Sequence, residues 1–580
     1  MDIFVNLKKL FGLFTRREKF NSFIMLGLIL VGGLVETLGI GLILPFATVL
    51  FDQSSVERYP ILQTITEIEW IGGHRRFVVL MCFALVTIFL FKSLYMFFLI
   101  YIQNRFILNR QIEIARKLFQ SYIHKPYEFF FNKNSAELQR NVVGLVPAVT
   151  QGVLMASLTL LTELVTVVFI LILLVIIDPV SSLTIIFALG GITAIFYHGL
   201  KGRLETAAKK ENIFGTAMFK SVNEGLGSIK EIKVLGKENN FTNGFEQNSR
   251  SFAKVAAFYN LCAQSPRLLI EMVAILGLTL ILVINVLRNL DMNALMPMIA
   301  MFALAAIRLM PSMNRIISSM TSLRFNIVHF GKLYDDLKES TMSEVTAFYK
   351  GKKTSFLKNI SIQGLTYKYP GTEKNVLGNV NLTIEKGQAI GIVGSSGAGK
   401  TTFVDILLGL LPPTEGDILI DGISIKKDLK GWQQNIGYVP QSIFLIDNTI
   451  AANVAFGVPK DEIDTERVWH ALETANLKEF VETLSEKLDE NVGESGKRLS
   501  GGQKQRIGIA RALYHDPEML IFDEATSSLD NESERIISEA IATIGNTKTM
   551  IIIAHRLNTL EKCDVIYEVK DKSLYRKESP

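Results

Sequence analysis

Cysteine is nearly missing from this chain. Cys82, Cys262 and Cys563 are the only three in 580 residues, far apart and without CxxC spacing, which excludes a disulfide framework and argues against a zinc site. Charge is scarce as well. Asp, Glu, Lys and Arg make up 20% of the residues beside 49% hydrophobic ones, with a mean hydropathy of +0.29. A soluble chain carries about 25% charge at comparable apolar content, so part of this one is solvated by something other than water. Neither sign of charge dominates, since 61 basic residues face 56 acidic ones. A net charge of +5 is too small for a nucleic-acid binder of this length. Fibrous and disordered classes are excluded by the same composition.

What the chain does have is long runs almost free of charge. Residues 20–51 contain only Glu36, 77–104 only Lys92, 141–177 only Glu163, and 179–200 nothing charged. Residues 255–287 hold Arg267 and Glu271, and 292–322 hold Arg308 and Arg315. Each run exceeds the roughly 20 residues that a helix needs to cross hydrocarbon, which predicts six spans, the first of them uncleaved. Asp178-Pro179 leaves almost no loop between the third and fourth, a tight antiparallel hairpin.

Lysine and arginine orient the spans, because positive loops stay cytoplasmic. Residues 103–150 carry seven Lys/Arg against three acids and 201–254 ten against six, while 51–76 carry three against four. Both termini are therefore expected on the cytoplasmic side. The two long inner connections mix Ala, Leu, Ile, Lys and Glu at helical spacing over 105–124 and 201–223, so the membrane helices are expected to run on as cytoplasmic stalks. At one tip, Phe129-Phe130-Phe131 suits either packing between neighbouring helices or docking on another domain. In the outer segment, Ile61, Leu62, Ile65 and Ile68 form a helical stripe over 56–70. That stripe reads as an amphipathic helix on the outer surface or as a cap on the span ends.

From about residue 354 the texture changes to short β-rich runs between Gly, Pro and Asp clusters, an α/β pattern. The expected division is a transmembrane domain over 1–335, a linker over 336–357 and a second domain over 358–580. After the strand-like Ala389-Ile390-Gly391-Ile392-Val393 comes Gly394-Ser395-Ser396-Gly397-Ala398-Gly399-Lys400-Thr401-Thr402, the phosphate loop GxxxxGK[ST] between strand and helix. Its glycines let backbone N–H groups wrap phosphates, Lys400 neutralises them, and the Thr401 hydroxyl suits magnesium. Met519-Leu520-Ile521-Phe522-Asp523-Glu524 is a second buried strand ending in two carboxylates. Asp523 suits magnesium through water, and Glu524 suits a general base for the attacking water. Between these strands, Ser500-Gly501-Gly502-Gln503 opens a helix whose exposed N–H groups favour an anion.

Taken together these residues resemble the ATP-binding cassette family, in the arrangement of an exporter half-transporter. The resemblance implies a six-helix, all-α transmembrane domain, domain-swapped in a dimer, followed by an α/β P-loop nucleotide-binding domain with a helical subdomain. It implies ATP and Mg2+ as cofactors, with ATP hydrolysis coupled to translocation. Tyr369 takes the role of the adenine-stacking aromatic, with Tyr367 the alternative. Gln441 becomes the glutamine that senses magnesium, Glu494 part of an inter-domain loop, Ser527 to Asp530 the dimer-contact loop and His555 the γ-phosphate switch. Ser500 to Gln503 of one subunit is implied to meet the phosphate held by the other. A complete site then needs two chains, most economically a homodimer, with a heterodimer left open, and the stalk tips become coupling helices.

For the cargo, the informative residues are the charges inside the spans. Lys92, Arg267, Arg308 and Arg315 come from three spans, and Arg308 and Arg315, seven apart, share a helix face. Cations at such depth cost about 2.5 to 3.5 kcal/mol on insertion scales and are functional candidates. They either line a cavity for an anionic head or pair internally with Glu36, Glu163 and Glu271. Pro266-Arg267, residues 308–315 and Glu36 to Gly39 leading to Leu44-Pro45-Phe46 are similar to the flippases of lipid-linked oligosaccharides in bacterial protein N-glycosylation. Lys92 departs from that pattern, which has arginine. The expected function is thus an ATP-driven flippase carrying a polyprenyl-pyrophosphate-linked glycan from the inner to the outer leaflet of the bacterial cytoplasmic membrane. Alternatives are an exporter of lipid A, another amphiphile or a drug, and, more distantly, a nucleotide-gated channel or receptor. Membrane lipid is an expected partner and nucleic acid is not.

Overall fold

The computed structural model describes residues 3–12, 14–42, 46, 49, 74–287, 292–338, 353–524, 531–545, 547–554, 560 and 563–577. The expected outer helix over 56–70 and the Leu44-Pro45 pair lie outside them. By internal contacts the chain forms two compact units, Met1–Lys125 with Lys133–Ser340, and Pro126–Asn132 with Thr341–Pro580.

The first unit is helical. It contains α1 (Ile3–Gly12), α2 (Arg16–Gly41), α3 (His74–Ile123), α4 (Ser135–Ile177), α5 (Pro179–Gly227), α6 (Ile229–Leu235), α7 (Glu238–Gln264), α8 (Pro266–Leu287) and α9 (Met292–Lys338). Among the described residues, four stretches are long and apolar enough to cross a membrane: Arg16–Gly39, Arg76–Ile123, Ser135–Ile177 and Glu238–Leu280. The other two expected spans, 179–200 and 292–322, fall within α5 and α9, of 49 and 47 residues. At 1.5 Å per residue, the 50 residues of α3 extend about 75 Å, more than twice a hydrocarbon core, so the expected stalks are continuous with the spans. Apolar side chains on α3 face outward, Phe83 being 71% and Phe97 73% exposed, as lipid rather than water requires.

Local chemistry sets the breaks. Asp178 caps α5 by accepting from the Val180 N–H (3.3 Å), and Pro179 in the first turn needs no donor of its own. Inside α4, two π-helical turns, Asn141–Leu145 and Thr150–Met155, bring a wall of buried side chains, among them Val146, Val149 and Val153, against the other helices. Gly152 lies so close to Asn326 of α9 that a Cβ there would come within 2.2 Å of its amide. Below this contact, polar groups tie helices together. Tyr122 donates to Asp336 (2.5 Å), Asn141 donates to both (3.0 and 3.1 Å), and Glu211 accepts from Arg140 (3.4 Å) and His329 (3.0 Å).

The second unit has two sheets. An antiparallel one has the order β2-β1-β4-β5, with β1 (Asn359–Tyr367), β2 (Leu377–Glu385), β4 (Glu415–Ile420) and β5 (Ile423–Ser424). The larger sheet has the order β10-β9-β3-β8-β7-β6, from β3 (Ala389–Val393), β6 (Ile436–Val439), β7 (Met519–Asp523), β8 (Thr549–Ile553), β9 (Val565–Lys570) and β10 (Ser573–Lys577). All neighbours in it are parallel except β9 and β10. The neighbouring strands β3, β8 and β7 are near-continuous apolar runs because both faces are covered. One face packs on α10 (Lys400–Leu407) and, through it, on the antiparallel sheet. Trp432, fully buried there, donates its indole N–H to the Leu407 carbonyl at 2.8 Å. The other face packs on α11 (Thr465–Thr474), α12 (Gly501–Tyr514) and α13 (Asn531–Gly545).

Glu211 links stability to pH. Burial alone pushes its carboxyl up, but the hydrogen bond from His329 and the charge of Arg140 hold it below its ordinary value of 4.5. A carboxyl depressed in the folded state stabilises above its unfolded pKa, and the contribution is lost as pH falls below about 4.5. Glu211→Gln is expected to flatten this acid limb in thermal unfolding of the detergent-solubilised chain. Arg140→Leu, which leaves the half-buried carboxylate to His329 alone, is expected to lower the unfolding temperature at neutral pH, by about 1 to 2 kcal/mol of stability.

Candidate functional site

Three strand ends and a helix start build the site. β3, β8, β7 and β6 are consecutive in the sheet and parallel, so their C-terminal ends share one edge, where an open α/β sheet binds ligands. At the end of β3 the chain turns through Gly394 (φ +155°), Gly397 (φ +78°) and Gly399 (φ +107°) into α10. A Cβ on Gly394 would meet the Val569 carbonyl at 2.9 Å, so only glycine lets the loop pass there. Lys400, buried at the first position of α10, donates to the Gly394 (2.9 Å) and Ser395 (3.1 Å) carbonyls. The ammonium is thereby folded into the concave side of its own loop, with Ser396, Ala398, Thr401 and Thr402 completing the run expected to hold phosphate.

At the end of β7, Asp523 is buried. Burial first, and then the charge of Glu524, raise its carboxyl, while the charge of Lys400 and the nearby Tyr438 phenol oppose this. Glu524 stands at φ +49°, its N–H bonded to the Ile553 carbonyl of β8 (2.9 Å), and its carboxylate accepts from the Gln441 side chain at 2.7 Å. The glutamine after β6 and the carboxylate after β7, 83 residues apart, therefore meet. Thr401 and Asp523 offer hydroxyl and carboxylate oxygens, a donor set that fits Mg2+ shared with phosphate. Such an ion would neutralise phosphoryl charge, and Glu524, bonded to Gln441, would be the candidate to take a proton from water.

Tyr369 is half-buried. Its hydroxyl shares a hydrogen bond with Thr402 (3.0 Å), and its ring meets Phe131 (5.6 Å) and Tyr367 (5.2 Å) edge to face. Tyr367, the alternative for stacking, is 1% exposed and donates to Glu128 at 3.0 Å, so its face is not open to a base. Glu128 and Phe131 belong to the segment Pro126–Asn132, which clusters with the second unit.

Ser500 and Gln503 form a capping box. The Gln503 N–H donates to the Ser500 hydroxyl (3.2 Å), and the Ser500 N–H to the Gln503 side chain (2.8 Å). Both bonds stay within the first turn of α12, leaving the exposed Gly501 and the buried Gly502 at its positive end. Glu494 is fully exposed and pairs with Lys497 at 2.5 Å. His555 and Ser527 to Asp530 lie outside the described residues.

The cations of the spans each meet an acid. Lys92 (2.8 Å) and Arg308 share Glu36, which is buried between α2, α3 and α9, and Arg308 also donates to the buried Ser312 (3.1 Å). Arg315 turns to Glu163 at 2.9 Å, and Arg267 bridges to Glu271 on its own helix at 2.9 Å. Of the two readings of these cations, internal pairing with Glu36, Glu163 and Glu271 is present in the structure, and Arg308 and Arg315 meet different acids. In a low-dielectric surrounding the nearest carboxylate offsets a cation's desolvation, and that contact outweighs helical phase.

Two further polar groups stand at the site, Asp405 and Tyr438. Asp405 follows Thr401 by one helical turn, a spacing that was legible. Its carboxyl is pushed up to about 6, first by burial and then by the Asp523 charge. Tyr438 reaches Asp523 only through strand pairing, which no local pattern announces.

Comparison with known proteins agrees with this geometry. The family model described as ABC transporter matches residues 377–527, and that described as ABC transporter transmembrane region matches residues 22–312. An ATP-dependent lipid A-core flippase of Saccharophagus degradans is 32% identical over 468 residues, 79% of this chain and 77% of that one. One of Cupriavidus metallidurans is 29% identical over 457 residues, 78% and 76%. One of Francisella tularensis subsp. holarctica is 43% identical over 209 residues, 36% and 34%. A solved bacterial Atm1-family ABC exporter with ATP bound superposes with a TM-score of 0.79 at 20% identity, covering 97% of this chain and 95% of that one.

Glu524→Gln is expected to retain ATP binding while hydrolysis falls by at least about a hundredfold, the range lost with a positioned base. Phosphate release together with nucleotide retention checks it. Lys400→Ala is expected to lose nucleotide affinity itself, read by equilibrium binding.

Proposed function

Since the chain belongs to the ATP-binding cassette transporters, as an exporter half-transporter that couples ATP hydrolysis to translocation, we propose that it flips a lipid with an anionic head, of the lipid A-core kind, between the leaflets of the bacterial cytoplasmic membrane. The observation that carries the cargo reading is the likeness, along about four-fifths of the chain, to relatives named lipid A-core flippases. It favours this amphiphile over the polyprenyl-linked glycan expected from the sequence. The Glu36 cluster supports an anionic head in either case. Two cations on one carboxylate leave a net positive charge among apolar helices, and a phosphate-bearing head reaching Lys92 and Arg308 offsets it. Arg315 and Arg267, each matched by one acid, are the weaker candidates. The working unit is a homodimer in which Ser500 to Gln503 of each chain completes the nucleotide site of the other, with both termini cytoplasmic.

The test is ATP-dependent inversion of a labelled lipid A-core in vesicles holding the pure protein, with Glu524→Gln as control and a polyprenyl-pyrophosphate glycan as the rival cargo. Inversion of the first that needs Glu524 supports the proposal, and inversion of the glycan alone overturns it. Arg308→Ala is expected to leave basal hydrolysis within about twofold and to cut inversion about tenfold, the loss of a charged contact. Equal loss of both would mark Arg308 as structural.

A further inference from the structure

Four helices of the first unit leave a space between them. On α5, Glu211, Gly215, Met218, Phe219 and Val222 recur at helical spacing and so share one face. On α7, Phe245, Phe252, Ala256 and Tyr259 do the same. With Arg140, Gly144 and Ala148 of α4, and Phe325 and His329 of α9, these faces enclose a cavity of about 550 Å³. Small residues stand where larger ones would close it, since Gly144, Ala148, Gly215 and Ala256 all line the space. Gly215 is also required for packing, because a Cβ there would come within 2.8 Å of the Arg140 guanidinium. Aromatic rings make up much of the remaining wall, with the centroids of Tyr259 and Phe325 4.5 Å apart and Phe325 edge-on to His329 at 5.8 Å.

The polar groups of this wall balance in charge but not in hydrogen bonding. The Arg140 guanidinium donates to Asn212, to Thr216 at 3.1 Å and to Glu211 at 3.4 Å, and His329 Nε2 meets Glu211 at 3.0 Å. Both contacts to Glu211 fall on one oxygen, Oε2, and Oε1 accepts no hydrogen bond among the described residues. The buried His329 Nδ1 has no partner among them either. Each carboxylate oxygen has room for two donors, so Oε1 is an acceptor that the chain itself leaves open. The charge of Arg140 already offsets that of Glu211, and an ionic ligand in this apolar space would stand uncompensated.

We propose that the cavity binds a neutral aromatic molecule carrying a hydroxyl group, its rings among Phe219, Phe245, Phe252, Tyr259 and Phe325 and its O–H donating to Glu211 Oε1. The volume lies within the roughly 300 to 1,000 Å³ of small-molecule sites, which are largely apolar with a few polar groups. The place is separate from the Glu36 cluster, because Arg308 and His329 stand about 30 Å apart along α9. The inference uses neither the cargo nor the nucleotide site, so failure of the flipping assay leaves it standing.

The test uses the full-length chain in lipid nanodiscs and three probes of similar shape, 4-benzylphenol, diphenylmethane and 4-benzylbenzoate, in equilibrium dialysis against empty nanodiscs. 4-Benzylphenol is expected to bind saturably, one per chain, and about tenfold more tightly than either other probe, the worth of a hydrogen bond to a charged group. Ala256→Trp fills the cavity and leaves Arg140, Glu211 and His329 in place, and it is expected to abolish that binding. Ala148→Phe serves the same purpose if the first variant does not fold. Glu211→Gln is expected to remove the advantage of the phenol over diphenylmethane, since the amide oxygen takes the donors of Arg140 and His329 and leaves an NH2 donor for the ligand. The proposal is overturned by an absence of saturable binding beyond that of empty nanodiscs, the result if a second copy of the chain fills the space. Phenol binding that survives the filled cavity overturns it too, as does equal or tighter binding of either other probe, or a phenol advantage that survives Glu211→Gln.

Discussion

A triphosphate carries more negative charge than one side chain can neutralise, and the second unit meets it by ending parallel strands along a single edge. β3 delivers the phosphate loop, β7 delivers Asp523 and Glu524, and β6 delivers Gln441. Because β8 lies between β3 and β7, the loop and the carboxylates stand two strands apart, with the Ile553 carbonyl fixing the Glu524 backbone from between them. The apolar runs of these strands supply the rigidity. Ile390, Ile392, Phe522, Ile551 and Ile553 are essentially without exposure, so the charged tips move little relative to one another.

In the first unit the governing constraint is the opposite one, that charge in an apolar surround needs a partner. The buried Glu36 and Glu163 and the half-buried Glu211 are acids around which cations of other helices collect. Lys92 and Arg308 reach Glu36 from α3 and α9, and Arg140 and His329 reach Glu211 from α4 and α9. Such pairs fix the rotation of long helices that apolar packing alone leaves free to slide. Where two cations share one acid, the excess charge also makes the cluster a place for an anion, and structural and cargo roles then fall on the same residues.

The nucleotide chemistry was largely legible because it rests on contiguous strings. GSSGAGKTT between strand and helix, and a buried strand closing on Asp523-Glu524, give their chemistry without tertiary knowledge. The hydrogen bond between Gln441 and Glu524, the edge of Phe131 on Tyr369 and the burial of Tyr367 were not legible, since each joins segments far apart in the chain. The membrane cations show the limit most clearly. Helical phase placed Arg308 and Arg315 on one side, but the nearest carboxylates, on α2 and α4, drew them to different partners.

By itself the sequence determined the apolar runs, the charge asymmetry of the loops and the phosphate-binding string, because hydropathy, charge and glycine φ are properties of residues and their immediate neighbours. Tertiary structure alone decided which acids Lys92, Arg308 and Arg315 meet, that Tyr438 stands beside β7 on the face of Asp523, and that three strand tips form one site. Those facts follow from strand order and helix contact, and such long-range pairing is set by the burial of whole faces and not by any local pattern.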